Sequence, residues 1–158
     1  MGAPWFKLQE LAREHGIIAR SSNYALYADM SNRVVEVLGA FTPDLEVYSI
    51  DESFLDLTAF RHLDLITYGQ TIRQRIARWL GLPVCVGIAP TKTLAKLANH
   101  IAKKRPEFAS VCDLERLSQA DRARIFGEIA VGEVWGVGRR IEARLADMGI
   151  ETVEALRR

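Results

Sequence analysis

The sequence predicts an α+β fold, and three observations carry that expectation. Apolar residues recur at helical spacing over several separate stretches, and short strand-like runs stand between them. Two of those runs flank a tight turn and form a hairpin, so strands and helices intermix along the chain. At 158 residues the chain is one domain or slightly more, long enough for a real core. Its hydrophobic share of 49% and charged share of 26% are those of an ordinary globular protein, which excludes disordered and fibrous classes. A net charge of +1 means that any nucleic-acid footprint has to be local. No apolar run reaches the length of a membrane span and the N-terminus has no signal-peptide layout, so a cytoplasmic location without a membrane partner is expected. Cys85 and Cys112 each lie in a short apolar run without metal-ligand spacing and read as reduced, buried thiols.

In chain order, Pro4 to Glu14 reads as a short helix, with proline in the first turn and Gly16 as a stop. Ile17-Ile18-Ala19 reads as strand. Ser21, Ser22 and Asn23 offer caps for a longer helix from about Tyr24 to Leu38, whose Tyr27, Met30, Val34 and Val37 fall at helical spacing. Leu45, Val47 and Ile50 read as one strand, and Phe54, Leu55 and Leu57 as its partner. An amphipathic helix from about Leu63 to Leu80 carries Leu65, Ile72, Ile76 and Trp79 on one stripe and stops at Gly81. Leu82 to Ile88 is a short buried strand, Thr91 to Lys104 a helix, and Ala109 to Cys112 a further strand. From Leu114 onward the pattern is helical with loops.

Three stretches carry chemistry. Asp51 and Glu52 interrupt the apolar alternation of Tyr48-Ser-Ile-Asp-Glu-Ser-Phe-Leu-Asp-Leu57, at or near the hairpin turn. Two carboxylates at one strand tip repel unless a cation neutralises them, and hard, oxygen-preferring Mg²⁺ suits them. Acids that hold Mg²⁺ against phosphates are the core of phosphoryl and nucleotidyl transfer. An Asp-Glu pair alone is also a common polar hairpin tip. Asp56 reads as structural.

The helix after Pro90 is the second stretch. At about 100° per residue, Lys92, Lys96, Asn99 and Lys103 share one face, and Leu94, Leu97, Ala98 and Ile101 the opposite one. No acid occurs from Thr91 to Pro106 to pair with the lysines, so their face suits phosphate oxygens. The third stretch is Val134-Trp-Gly-Val-Gly-Arg-Arg140, followed by Gly149-Ile150. A hydrophobic-Gly-x-Gly turn that opens a helix is the layout of a helix-hairpin-helix. Gly136, Val137 and Gly138 would let backbone N–H groups approach a phosphate, with Arg139 and Arg140 adding charge. Such a turn positions DNA by its backbone and reads no sequence.

Four segments, SSNYALYADMSNRV, YSIDESFLDL, VGIAPTKTLAKLANHIAKK, and VWGVGRRI with the downstream LADMGIETV, resemble those of Y-family (translesion) DNA polymerases. The wording is closest to the UmuC type, the catalytic subunit of bacterial DNA polymerase V, and the likeness covers nearly the whole chain. The resemblance implies a partial fingers region over 1–42, a palm with a mixed or antiparallel sheet over 43–113, and over 114–158 the start of a helical thumb with the helix-hairpin-helix. It makes Asp51 and Glu52 the second and third catalytic, Mg²⁺-holding acids, and Lys103 the lysine on the incoming triphosphate. Lys92 and Lys96 are left with general phosphate attraction. It implies template-directed nucleotidyl transfer in DNA repair and the SOS response, on primer-template DNA and dNTP. A processed accessory subunit and a recombinase filament are implied as partners.

The departures are equally specific. The family's first palm strand, with its catalytic aspartate, has no counterpart here, nor do the early fingers residues on the triphosphate or the little-finger domain. Met1-Gly2 before Ala3-Pro4 resembles an internal stretch of full-length relatives. The expectation is therefore a polymerase fragment truncated at both ends, catalytically incomplete alone unless another chain supplies the missing strand. A DNA-binding module without catalysis and a decayed gene fragment are the alternatives. A nucleotide cyclase would account for Asp51 and Glu52 but not for the tail.

Overall fold

The computed structural model describes residues 3–158, so the Met1–Gly2 pair lies outside the described residues. Helix α1 (Trp5–His15) follows Pro4 and ends at Gly16, whose left-handed φ of 64° turns its N–H onto the Ala12 carbonyl. The expected strand at Ile17-Ile18-Ala19 does not form; the segment is irregular, with Ile18 71% exposed. β-branched residues favour a strand only when a neighbouring strand supplies hydrogen bonds, and none does so among the described residues. Helix α2 (Tyr24–Gly39) starts where Asn23 accepts a hydrogen bond from the Leu26 N–H at 3.1 Å.

The expected hairpin forms with shorter strands, β1 (Leu45–Val47) and β2 (Ser53–Leu55), in antiparallel register with Val47 opposite Ser53; Ile50 falls in the loop and Leu57 beyond β2. Asp56 closes its base: its N–H donates to the Asp44 carbonyl at 2.9 Å, and its carboxylate accepts from the Thr58 N–H at 2.8 Å. Hydrogen bonds from Thr58 hold that carboxyl below its usual range. Helix α3 (Leu65–Leu80) buries Ile72 and Ile76 and stops at Gly81 in the left-handed region. Trp79, expected on the buried stripe, is 63% exposed; its ring lies beside the Arg75 guanidinium instead.

Strand β3 (Val86–Ile88) pairs in parallel with β4 (Val111–Asp113), and helix α4 (Lys92–Lys104) makes the crossover between them. Strand β4 starts two residues later than the sequence suggests, because Ala109 and Ser110 both adopt positive φ, at 47° and 64°. Thr91 caps α4 by accepting from the Leu94 N–H. Gly87 is what allows α4 to lie against β3: a Cβ there would sit 2.2 Å from both the Ala95 carbonyl oxygen and the Asn99 nitrogen. The rest of the chain forms α5 (Gln119–Gly127), α6 (Arg139–Asp147) and α7 (Val153–Arg157).

The core has two parts. One gathers Leu97, Ala98 and Ile101 of α4, Cys112 of β4, Ile125 and Phe126 of α5, and Val153 of α7. The other packs Val37, Leu38 and Phe41 against Ile72 and Ile76, with Leu45 and Leu55 of the hairpin beside them. Cys112 is fully buried and its thiol is pushed up to about 12, while Cys85 is half-buried; both are free thiols. No helix among the described residues is long and apolar enough to cross a membrane.

Candidate functional site

The tip of the hairpin is organised by one carbonyl. The N–H groups of Tyr48 and Ser49 both donate to the Glu52 oxygen, at 3.1 and 3.0 Å, and close a short loop that leaves Asp51 and Glu52 exposed. Ser49 Oγ donates to Asp51 Oδ1 at 2.8 Å, which aligns that carboxylate along the turn. Glu52 Oε2 accepts from Lys96 Nζ at 2.9 Å, and Glu46 of β1 pairs with Lys92. The lysine face of α4 thus meets the hairpin, and two of its three lysines are engaged by acids from another element. Asn99 Nδ2, on the same face, donates to the Cys85 carbonyl at 2.9 Å. Lys103 lies about two helical turns beyond Lys96 and is exposed.

Aromatic rings complete this corner. The Lys96 ammonium sits 4.5 Å from the Tyr48 ring centre and 5.0 Å from that of Trp135, while Lys92 lies 5.3 Å from Phe54. Tyr48 and Trp135 meet edge to face at 5.2 Å, and Trp135 Nε1 donates to Tyr48 Oη at 3.0 Å. Neither aromatic had been assigned a role from the sequence. Both lie inside the motifs that drew attention, but no spacing rule joins positions so far apart in the chain.

Trp135 brings the glycine turn with it. The Val137 N–H donates to the Val134 carbonyl at 2.9 Å, and Gly136 at the bend has a φ of 93°, which favours glycine. Gly138 stands at the N-cap of α6, and its carbonyl accepts from both Ile141 and Glu142. The N–H groups of Arg139 and Arg140 at the start of α6 have no intrahelical partner, and both side chains are exposed. An antiparallel bridge between Ala130 and Thr152 ties the segments on either side of α6 together. The sequence-derived candidates therefore form one linked region from Asp51 and Glu52 through Lys96 to Gly136 and Arg139, with Lys103 outside the network.

The acids do not make a complete cation site as they stand. Among the described residues no group of three or more His, Cys, Asp or Glu side chains converges on one point. Asp51 and Glu52 offer hard oxygen donors of the type Mg²⁺ takes, but one of the two carboxylate oxygens of Glu52, Oε2, is already met by Lys96.

The model of the impB/mucB/samB family matches residues 1–100. The chain is 49% identical over 153 residues to a protein named UmuC from Salmonella typhimurium, covering 96% of this chain and 36% of that one. It is 35% identical over 162 residues to a protein named DNA polymerase IV 2 from Mesorhizobium japonicum, covering 99% and 36% respectively. Among solved structures, the insertion ternary complex of Dbh DNA polymerase superposes with a TM-score of 0.75 at 28% identity, over 96% of this chain and 42% of that one. The chain spans about a third of the length of these curated relatives.

Proposed function

The chain belongs to the impB/mucB/samB family of Y-family translesion DNA polymerases, and from that premise we propose that it is the palm and early thumb of such an enzyme. Residues 1–42 form part of the fingers, 43–113 the palm, and 114–158 the start of a thumb whose Gly136–Gly138 turn works as a helix-hairpin-helix. Its task is to hold primer-template DNA and the phosphates of an incoming nucleotide for template-directed nucleotidyl transfer in the cytoplasm.

One observation supports this most strongly: the Asp51–Glu52 hairpin and the Gly136–Gly138 turn are joined through Lys96, Tyr48 and Trp135. A carboxylate corner and a backbone-phosphate turn on one connected surface suit a substrate that carries both a duplex backbone and a triphosphate. The unpaired N–H groups at the start of α6, with Arg139 and Arg140, offer donors and positive charge to a DNA phosphate. Lys103, exposed in the last turn of α4, is the residue for the triphosphate. The family reaction joins a primer 3′-hydroxyl to the nucleotide α-phosphate and releases pyrophosphate.

Y-family polymerases depend on divalent metal ions, and among the described residues no third acid joins Asp51 and Glu52 in a metal-holding group. By itself the chain therefore binds DNA without extending a primer; the remaining acid has to come from outside these residues. Fluorescence anisotropy with a labelled primer-template tests the binding half of this reading. Binding that is indifferent to base sequence and weakens steeply with salt is expected. Binding unchanged between 50 and 300 mM salt, or none at low salt, would overturn it.

A further inference from the structure

The Lys96 side chain is 21% exposed and Glu52 47% exposed, and the surroundings of the amine set this pair apart from one between two free surface side chains. The Tyr48 and Trp135 rings lie 4.5 and 5.0 Å from Nζ and carry no formal charge, so they attract the ammonium through their electron-rich faces without neutralising it. The full positive charge remains available to Glu52 Oε2, 2.9 Å away. The rings are fixed in turn by the hydrogen bond from Trp135 Nε1 to Tyr48 Oη and by Phe54, which packs on both.

We propose that Lys96 is a built-in counter-cation for Glu52 that competes with a divalent ion for the carboxylate, and that Trp135 is the positioning residue that holds it there. This rests on reading the Asp51–Glu52 hairpin as the metal-side corner of the palm. A divalent ion bound through that oxygen, at about 2 Å, would stand within roughly 5 Å of the ammonium, where like charges repel. Lys96 has a flexible stem and, among the described residues, pairs with no acid but Glu52, while Glu46 pairs with Lys92 and Asp51 accepts from Ser49. Displaced from Glu52, its amine stays over the rings with its charge uncompensated, ready for a phosphate oxygen. The exchange reaches the thumb because Trp135 directly precedes Gly136, so a movement of the turn onto DNA shifts a wall of the lysine's cage.

The test is titration of the chain with Mn²⁺, following the free ion by electron paramagnetic resonance, without DNA or nucleotide. Lys96→Met is expected to tighten Mn²⁺ binding roughly threefold or more, as for a carboxylate released from one partly exposed ion pair. Lys96→Arg, which keeps the charge over the rings, stays at the unaltered value, and Glu52→Gln added to Lys96→Met removes the gain. Trp135→Leu, which loosens the lysine without deleting it, gives an intermediate gain and serves if circular dichroism shows Lys96→Met unfolded. Equal Mn²⁺ affinity in the folded variants and the unaltered chain, no binding in any of them included, overturns the proposal. Primer-template binding of the same proteins keeps the two readings apart: retained DNA binding with unchanged Mn²⁺ affinity sinks this inference alone, whereas an unaltered chain that binds no DNA sinks the functional reading beneath it.

Discussion

Trp135 Nε1 donates a hydrogen bond to Tyr48 Oη at 3.0 Å across 87 residues of chain, and this contact joins the acid-bearing hairpin to the glycine turn before α6. Tyr48 belongs to the loop whose backbone positions Asp51 and Glu52, and Trp135 adjoins the bend at Gly136. Removing the indole leaves Tyr48 and Phe54 without their common neighbour. Trp135→Ala should cost about 2 kcal/mol in a urea melt, less than the ~3–5 kcal/mol of a fully buried aromatic, because Trp135 is 38% exposed. Trp135→Phe should cost less than half of that. A melt unchanged by Trp135→Ala would mean that the aromatic corner contributes nothing to cohesion.

Arg139 and Arg140 extend the positive start of α6, and both side chains are exposed. Each substitution by alanine should weaken primer-template binding by a similar factor for any base sequence. Each should also lower the slope of log affinity against log salt by about one unit. A loss confined to particular sequences would point to base reading and contradict the backbone role.

Close approach at Gly87 makes a sharper structural prediction. A methyl group there meets the backbone of α4 at 2.2 Å, and backbone cannot rotate aside as a side chain can. Gly87→Ala should therefore cost about 3 kcal/mol and displace α4, and with it Lys92 and Lys96. A normal melting temperature for this variant would show that α4 and β3 are not so tightly opposed.

Two buried acids should respond to pH with opposite signs. Hydrogen bonds from Arg157, and beside them Arg158, hold the Glu154 carboxyl below its ordinary value of 4.5. Its stabilisation is present above that value and is lost as pH falls through the lowered one. Burial pushes the Asp113 carboxyl above its ordinary 3.8, against the smaller pull of the Glu115 N–H. Below 3.8 Asp113 is neutral in both states, and its penalty grows as pH rises through the raised value. Denaturant melts from pH 3 to 7 should show the deficit of Glu154→Gln growing with pH. The same melts should show Asp113→Asn gaining on the unaltered chain over that rise. The reverse order for either variant contradicts these assignments.

Burial also makes the Cys112 thiol inert. With its ionisation pushed to about 12, it should resist alkylation at pH 8 until the chain unfolds. Mass spectrometry after brief iodoacetamide treatment checks this, and early labelling of Cys112 would show that the α4–β4 core opens locally.

What was legible in the sequence was local. Gly16 and Gly81 as stops, Asn23 as a cap and the turn at Asp51–Glu52 each depend on residues within a turn of one another, and each formed as expected. What depends on distant partners was not legible. Ile17 and Ile18 have strand character but no neighbouring strand among the described residues. Trp79 follows the apolar stripe of α3, yet Arg75 on the same helix takes its face. No acid lies near the lysines of α4 in sequence, whereas Glu46 and Glu52 reach Lys92 and Lys96 from the hairpin. The aromatic cage of Lys96 draws on three separate segments, and only the fold brings them together.

On the proposed reading the chain holds primer-template DNA beside an incomplete metal corner. Primer extension by the 158-residue chain with Mg²⁺ and all four nucleotides, beside a gel shift on the same primer-template, separates binding from catalysis. A shifted complex and no extension are expected. Extension that Asp51→Ala or Glu52→Ala abolishes would contradict this reading, and would mean that two acids suffice or that another in the chain completes the site.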